Sequence, residues 1–238
     1  MQRNRISILS TRPLDDDLTA MAARNGVRLD VVPFIKTEPH GSGTALQRIQ
    51  SLSFEPITAV FTSMNAAEAV INDLNGSKPL WKIFCLGNTT RKTIAQYFGN
   101  DAIIGTAPNA TKLAQSIINI KSIDRVYFFC GDQRRDELPS ILNTNQVGVE
   151  EIIVYKTIIL HNKVHENYQA ILFFSPTAVT GFFSNNSIGR ETVLFAIGET
   201  TAAAIRDRSL NKIVVGNGIS KESLVKTAME YYQLTGEE

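Results

Sequence analysis

The strongest constraint on the fold is an internal repeat, because a chain that repeats a pattern of strands and turns builds the same structural unit twice. Residues 59–66 (AVFTSMNA) align with residues 171–178 (ILFFSPTA) at an offset of 112. Residues 86–90 (LGNTT) align with residues 197–201 (IGETT) at an offset of 111. The repeat predicts two similar units within the 238 residues.

A weaker repeat relates the amino terminus to the middle of the chain. Gly26-Val27 resembles Gly148-Val149, and Arg12 stands opposite Arg134. The order of the repeats allows tandem domains of residues 1–120 and 121–238, or a discontinuous arrangement in which segments are exchanged. The apolar runs at residues 32–37 and 154–159 are long for edge strands, and could pair with each other as a connection between two domains.

Short apolar runs rich in β-branched and aromatic residues alternate with helical patterns along the whole chain, which predicts parallel sheets covered by helices on both faces. The predicted strands are at residues 5–10, 28–32, 57–62, 82–86, 102–104, 125–130, 151–157, 170–174, 193–197 and 212–215. The predicted helices begin near Asp15, Thr44, Ala66, Thr89, Thr111, Asp136, Thr177, Thr200 and Lys221.

Composition and charge exclude several classes of function. The formal net charge is +1, which gives no field to attract nucleic acid or an anionic membrane surface. No apolar run reaches the roughly 20 residues of a membrane span, and no targeting segment is recognisable. Cys85 and Cys130 lie in strand-like runs, which favours core residues over a disulfide. We expect a cytoplasmic protein without nucleic-acid or membrane partners.

Motifs for nucleotide, metal and hydrolase chemistry are missing. The sequence has no GxGxxG after a strand, no GxxxxGK[ST], no HExxH and no GxSxG. His161 and His165 are spaced for one helix face, but no cysteine or acidic cluster joins them, so a solvated segment is the favoured interpretation. We expect no metal and no cofactor.

Six predicted strand-to-helix turns are rich in small polar residues. In a parallel sheet such turns leave the carboxyl ends of the strands, where ligands bind, and helix starts there favour anions. If two sheets faced each other, the six turns would line one cleft; the alternative is that the Ser and Thr residues are ordinary N-caps. The turns are Ser10-Thr11-Arg12, Ser63-Met64-Asn65, Gly87-Asn88-Thr89-Thr90, Gly131-Asp132-Gln133-Arg134, Ser175-Pro176-Thr177 and Gly198-Glu199-Thr200-Thr201.

At these turns the chain resembles the uroporphyrinogen-III synthase (HemD) family. The similar segments occur in the family's order over nearly the whole chain: ILSTRP, VFTSMNAAEAV, FCLGNTTRKTI, FFCGDQRRDELPSIL, EEIIVYKT, LFFSPTAVTGFF and FAIGETTAAAI. The resemblance implies two similar parallel-sheet α/β domains joined by a two-stranded β-ladder, one domain being discontinuous. It implies a domain of residues 1–34 plus 160–238, an inserted domain of residues 37–156, and a linker at 33–37 and 155–160.

The resemblance also implies a reaction, the cofactor-independent cyclisation of the linear tetrapyrrole hydroxymethylbilane with inversion of ring D. Tyr155 matches the family's tyrosine and is the candidate proton donor. Ser63-Met64-Asn65 stands where the family often has SPR, so a positive charge is missing at Asn65. The implied substrate-binding residues are Thr11, Arg12, Ser63, Asn65, Gly87, Asn88, Thr89, Thr90, Gly131, Arg134, Ser175, Pro176, Thr177, Gly198, Thr200 and Thr201.

Two alternatives stay open at this point. A non-catalytic, two-lobed protein that binds an anionic small molecule would place the same turns at its sheet edges. A nucleotide-dependent α/β enzyme is disfavoured by the missing glycine-rich loops. We expect the chain to work as a monomer.

Overall fold

The structure is a computed structural model that describes residues 6–40, 43–216 and 220–235. Its strands are β1 (Ile6–Ser10), β2 (Val27–Val31), β3 (Ile35–Pro39), β4 (Thr58–Phe61), β5 (Lys82–Leu86), β6 (Ile103–Ala107), β7 (Arg125–Gly131), β8 (Gly148–Ile159), β9 (Ala170–Phe173), β10 (Val193–Ala196) and β11 (Ile213–Val215). Its helices are α1 (Asp16–Arg24), α2 (Gly43–Leu52), α3 (Met64–Asp73), α4 (Asn88–Phe98), α5 (Ala110–Ile118), α6 (Glu137–Thr144), α7 (Pro176–Phe183), α8 (Glu199–Arg206) and α9 (Lys221–Thr235).

The predicted alternation of strands and helices is confirmed. Each of the ten predicted strands has a counterpart, although Arg5, the first residue of the first one, lies outside the described residues. Every residue of β9 and of β10 is buried, as expected of strands covered on both faces. Among the described residues, no helix has the length and apolar character needed to cross a bilayer.

The chain forms two compact units, one of which is discontinuous. Unit 1 contains Met1–Lys36 and Ile158–Glu238, and unit 2 contains Thr37–Thr157. One five-stranded sheet has the order β11-β10-β9-β1-β2, and one six-stranded sheet has the order β3-β8-β7-β4-β5-β6. All pairs in the five-stranded sheet are parallel, as are those linking β8 through β6 in the other. This confirms the α/β fold with a discontinuous domain.

The repeat has a direct counterpart in strand order. The strands β11-β10-β9 of unit 1 correspond to β6-β5-β4 of unit 2, and β1-β2 take the positions of β7-β8. The two sheets therefore match strand for strand, except for the additional β3. Unit 1 assembles this pattern from both ends of the chain, whereas unit 2 assembles it from one continuous segment.

The predicted pairing of the runs at 32–37 and 154–159 is present as β3 against β8. The Leu160 amide donates to the Phe34 carbonyl at 2.9 Å, and the His40 amide donates to the Val154 carbonyl at 3.0 Å. Residue numbers rise along β3 as they fall along β8 between these two bonds, so this pair is antiparallel. Because β8 also pairs with β7, the ladder is continuous with the six-stranded sheet.

Aromatic stacking organises the core of unit 2. The ring of Phe129 stacks on Phe61 with centroids 5.1 Å apart and on Trp81 with centroids 5.4 Å apart. The indole Nε1 of Trp81 donates to the Leu52 carbonyl at 3.0 Å, which satisfies its buried donor. Phe61 and Phe129 are fully buried.

We predict that Phe129→Ala lowers the free energy of unfolding of unit 2 by about 3–5 kcal/mol, because it removes the middle ring of the stack and leaves a cavity. Trp81 is the one tryptophan of the chain, so its fluorescence in a urea titration reports on unit 2. Phe54→Ala is the control, since Phe54 is 88% exposed and its loss should change the free energy by less than about 0.5 kcal/mol. Equal shifts for both variants would contradict the assigned core.

Candidate functional site

The predicted turns lie at the carboxyl ends of adjacent parallel strands within each unit. In unit 1 they follow β1, β9 and β10, which are neighbours in the order β10-β9-β1. In unit 2 they follow β4, β5 and β7, which are neighbours in the order β7-β4-β5. The structure therefore brings three predicted turns together at one edge of each sheet.

Tyr155 lies at this edge of unit 2, and an irregularity in the strand pairing places it there. Cys130 aligns with Ile153, but Gly131 aligns with Tyr155, so Val154 is an additional residue in β8. Such a bulge bends a strand and redirects the side chains that follow it. Tyr155 is partly buried and packs against the unit 2 core.

Gly131 is required by the position of the Tyr155 ring. A Cβ atom on Gly131 would lie 2.4 Å from Cζ and 2.8 Å from the hydroxyl oxygen of Tyr155. Because these distances are far below van der Waals contact, a side chain at residue 131 would displace the ring. The glycine at the end of β7 thus creates the space that the phenol occupies.

Ser63 contacts the hydroxyl of the Tyr155 phenol. Its Oγ lies 3.2 Å from the Tyr155 hydroxyl, and either oxygen can donate. Ser63 is the N-cap residue of α3, yet its side chain makes no capping hydrogen bond. Ser175, the equivalent residue in the repeat, accepts a hydrogen bond from the Ala178 amide at 3.1 Å in the ordinary capping manner.

Burial raises the pKa of Tyr155 above its ordinary value of 10.0. The hydrogen bond with Ser63 opposes this shift of the pKa, and the nearby Cys130 and Asp132 add to it. Since a raised pKa favours the protonated phenol, Tyr155 keeps its proton at neutral pH and is able to donate it.

The turn after β5 presents a second helix start at the same edge of unit 2. Gly87 precedes α4 with a φ of +68°, a conformation that glycine adopts without strain. With glycine at this position, α4 has no side-chain cap. Asn88 and Thr89 are exposed, whereas Thr90 is only 6% exposed, so Thr90 faces the protein.

The unit 1 edge presents the starts of α7 and α8. Pro176 is the first residue of α7, and Gly198 precedes α8 without a side-chain cap. Thr200 is exposed, whereas Thr201 is only 3% exposed. Of the two helices, α8 therefore begins without a side-chain cap and with the exposed Thr200 side chain, which is the arrangement that favours an anion.

Two of the predicted binding residues already have protein partners. The amide and hydroxyl of Thr11 both donate to the Leu172 carbonyl, at 3.1 and 2.7 Å, and the side chain is fully buried. Arg134 forms ion pairs with Glu151 and, at 2.7 Å, with Asp136. The hydrogen bond to Glu151 raises the pKa of Arg134. Thr11 therefore ties β1 to β9, and the charge of Arg134 is locally balanced.

Arg12 is in a different environment from Arg134. Its guanidinium lies 5.7 Å above the ring of Phe174, within cation–π distance. Desolvation lowers the pKa of Arg12, while the nearby Asp15 opposes that shift. Arg12 is exposed, so its guanidinium is accessible to an anionic ligand at this edge of unit 1. Phe174 was not among the residues expected from the sequence.

A surface cavity of 590 Å³ lies elsewhere in unit 2. Its lining includes Glu55, Thr58, Asp124, Arg125 and Gly148, which stand at or just before the amino ends of β4, β7 and β8. None of the predicted site residues lines this cavity. It lies at the opposite end of these strands from Tyr155.

We predict that Gly131→Ala forces the Tyr155 ring away from Ser63, because the new methyl group would occupy the position of the phenol. A crystal structure of the variant should show the Ser63 Oγ to Tyr155 hydroxyl distance lengthened beyond hydrogen-bond range. Gly189→Ala is the matched control, since a Cβ there meets nothing within 4 Å. An unchanged Tyr155 position in Gly131→Ala would show that the glycine is not the determinant.

Comparison with known proteins gives one family and several solved structures. No curated protein matches the chain at a significant level. A mutant uroporphyrinogen III synthase of Thermus thermophilus is similar in fold with a TM-score of 0.63 and 13% identity, over 98% of this chain and 100% of that one. Uroporphyrinogen-III synthetase of Helicobacter pylori is similar with a TM-score of 0.67 and 14% identity, over 95% of this chain and 99% of that one. At these identities the likeness concerns the fold.

Family membership comes from the sequence itself. The family described as uroporphyrinogen-III synthase HemD matches residues 16–226. That range includes the turns after β4, β5, β7, β9 and β10, together with Tyr155. Because the match covers most of the chain, this protein belongs to the uroporphyrinogen-III synthase HemD family.

Proposed function

We propose that the chain cyclises hydroxymethylbilane to uroporphyrinogen III, with inversion of ring D and loss of water, as a lyase of tetrapyrrole and haem biosynthesis. Membership of the family supports the reaction. The observation that assigns the reaction to particular residues is the Tyr155 phenol. It is partly buried and protonated, and it contacts Ser63 beside a helix start without a side-chain cap.

The main task of the enzyme in this reaction is to control which way the bilane closes. Loss of the terminal hydroxyl gives an azafulvene cation, which the substituted carbon of ring D attacks to form a spiro intermediate. The spiro ring reopens and closes with ring D inverted, and a ring proton is lost. Since the free bilane closes spontaneously to the uninverted isomer, the protein must orient the chain and suppress the competing closure.

Tyr155 is the proposed proton donor to the departing hydroxyl. When Ser63 donates its hydroxyl hydrogen to the phenol oxygen, the Tyr155 proton is free to point towards the substrate. Proton transfer to the hydroxyl releases water, and the same hydrogen bond from Ser63 stabilises the phenolate that remains. The proton that the ring loses on closure equals the one that Tyr155 gave up, so the phenolate can be protonated again.

Backbone amides supply most of the proposed binding of the eight substrate carboxylates. The net charge of +1 excludes a large excess of cationic side chains. Helix starts bind anions without formal charge, and α3, α4 and α8 begin without a side-chain cap. Arg12 over Phe174 adds a cation. The proposed contacts are made by Asn65, Gly87, Asn88 and Thr89 in unit 2, and by Ser175, Pro176, Thr177, Gly198 and Thr200 in unit 1. Thr90 and Thr201 are buried, so their proposed role is to support these helix starts from inside.

The non-catalytic binding protein considered from the sequence has no observation in its favour. Such a protein would use the same helix starts, but it has no need of the bulge, the glycine and the serine that together set the Tyr155 phenol. The family to which the chain belongs is named for a synthase.

The first test of the function is the identity of the ring isomer. We predict that the purified protein, mixed with enzymatically generated hydroxymethylbilane, yields uroporphyrinogen III without added metal or nucleotide. Chromatographic separation of the isomers after oxidation to the porphyrins measures the product. Folded protein that leaves only the spontaneous type I isomer would overturn the proposal.

The second test concerns Tyr155. We predict that Tyr155→Phe lowers kcat/KM towards the lower end of the about 10²–10⁴-fold range of general acids, because the azafulvene cation forms readily. Tyr97→Phe is the control, since the Tyr97 hydroxyl also makes one hydrogen bond, at 2.7 Å to the Ser77 carbonyl, on a helix end remote from this edge. Equal kcat/KM for the two variants would assign Tyr155 a structural role.

A further inference from the structure

Asp132 makes two hydrogen bonds to β8, one on each side of residue 156. Its amide donates to the Tyr155 carbonyl at 3.1 Å. Its carboxylate oxygen Oδ1 accepts from the Thr157 amide at 2.9 Å. The aspartate directly follows Gly131, the last residue of β7, on which the Tyr155 ring lies.

The two bonds follow the pattern of a parallel strand pair, except that a side-chain oxygen takes the place of one main-chain carbonyl. In a parallel pair, a residue donates to the carbonyl before its partner and accepts from the amide after it. Asp132 does both around residue 156, but the acceptor is its side chain instead of its main-chain carbonyl. The main chain turns at this point, because the Arg134 amide donates to the Gly131 carbonyl at 3.2 Å.

The Asp132 carboxylate lets β8 stay paired after β7 has ended. Without the carboxylate, the Thr157 amide would lose this partner, and the segment after Tyr155 would be held by one bond fewer. Thr157 is also the last residue of unit 2, so this bond fixes β8 where the chain leaves the unit. Tyr155 is therefore anchored through its own carbonyl and, two residues further on, through Thr157.

We propose that Asp132 is the positioning residue of Tyr155, and that it acts through the oxygen that accepts from Thr157 and not through its charge. The proposal rests on the proposed role of Tyr155 as proton donor. A one-ångström displacement of a reacting group can lower a rate by about 10²-fold, so a loosened β8 end has a measurable cost.

Two variants separate the position of the acceptor oxygen from the charge of the side chain, because each variant keeps one property and alters the other. Asp132→Asn keeps an acceptor oxygen at the same distance and removes the charge. Asp132→Glu keeps the charge and moves the acceptor by one methylene. The other groups that influence the Tyr155 phenol are Ser63, which is uncharged, and Cys130. Burial raises the pKa of Cys130 to about 12.

The experiment measures kcat and KM for type III product formation in Asp132→Asn, Asp132→Glu and Asp132→Ala. We expect the Asn variant to stay within about twofold of the unmodified chain, and the Glu and Ala variants to lose about tenfold in kcat with little change in KM. If Ala does not fold, Asn and Glu decide the question alone. Wild-type kcat in the Glu variant with a tenfold loss in the Asn variant would overturn the proposal in favour of the charge.

A double-mutant cycle with Tyr155→Phe distinguishes positioning from a general effect on the fold. If Asp132 acts through Tyr155, Asp132→Glu has no further effect on kcat once the phenol is gone. Additive losses would overturn the proposal. Gln169→Ala is the control. The Gln169 side-chain oxygen accepts from the Ser7 amide at 2.8 Å, just before the amino end of β9 and away from the turns at the carboxyl ends of the strands. The kcat of this variant should be unchanged.

The outcomes separate this proposal from the proposed function. An unmodified chain that makes no type III isomer contradicts the function itself. An active chain with unaffected Asp132→Glu and Asp132→Ala variants contradicts only the positioning role. An active chain in which Tyr155→Phe has no effect removes the basis of that role as well.

Discussion

Parallel pairing of the central strands is the constraint on which the rest of this molecule depends. It requires a crossover connection between parallel strands that follow each other in the chain, and helices supply that connection in both sheets. It also delivers every strand-to-helix turn of a sheet to the same edge. The turns after β4, β5 and β7 are neighbours in space for this reason, although 68 residues separate Ser63 from Gly131 in the chain. Chemistry at this edge thus needs no residue in the sheet interior, which is filled by aromatic packing.

The two units show how one scaffold supports two different uses of the same position. Ser63 and Ser175 each precede the helix that follows the third strand of the sheet, counted from β6 and from β11. Ser175 caps its helix, which satisfies an amide locally. Ser63 leaves its helix without a side-chain cap and contacts Tyr155 instead. The unit with the capped helix is stabilised there, whereas the other unit keeps an uncapped helix start and a positioned phenol.

The sequence could predict the features that depend on local pattern. Strand and helix positions follow from apolar periodicity, and the sharing of turns at one edge follows from the alternation of strands and helices. The offset of 112 residues between repeats correctly indicated equivalent strands, β4 and β9. Resemblance to a family was needed to choose the discontinuous arrangement, because tandem and exchanged domains bury the same apolar faces.

Features that depend on long-range contact could not be predicted. The Ser63 to Tyr155 contact joins residues 92 positions apart, and nothing in either local sequence indicates it. The bulge that redirects Tyr155 depends on how β7 and β8 align, which the pattern of apolar residues leaves undefined. Arg12 and Arg134 had equal status as cations in the sequence pattern, but Arg134 is the one whose charge two carboxylates balance. Thr11 looked available for a ligand, although its hydroxyl donates to a strand carbonyl.

The discontinuity of unit 1 has a consequence for the order in which the protein acquires its structure during synthesis. The strand β1 pairs with β9, so Ile8 must wait for Ala170 to be made before that pairing can form. Unit 2 is complete at Thr157 and has all its strands from β4 to β8 by then. Domains generally fold as units as the chain emerges, so we expect unit 2 to fold first, while the β1–α1–β2 segment remains without its sheet until β9 is made. The apolar residues of β1 and β2 are thus exposed to chaperones longer than any others in the sheet they join.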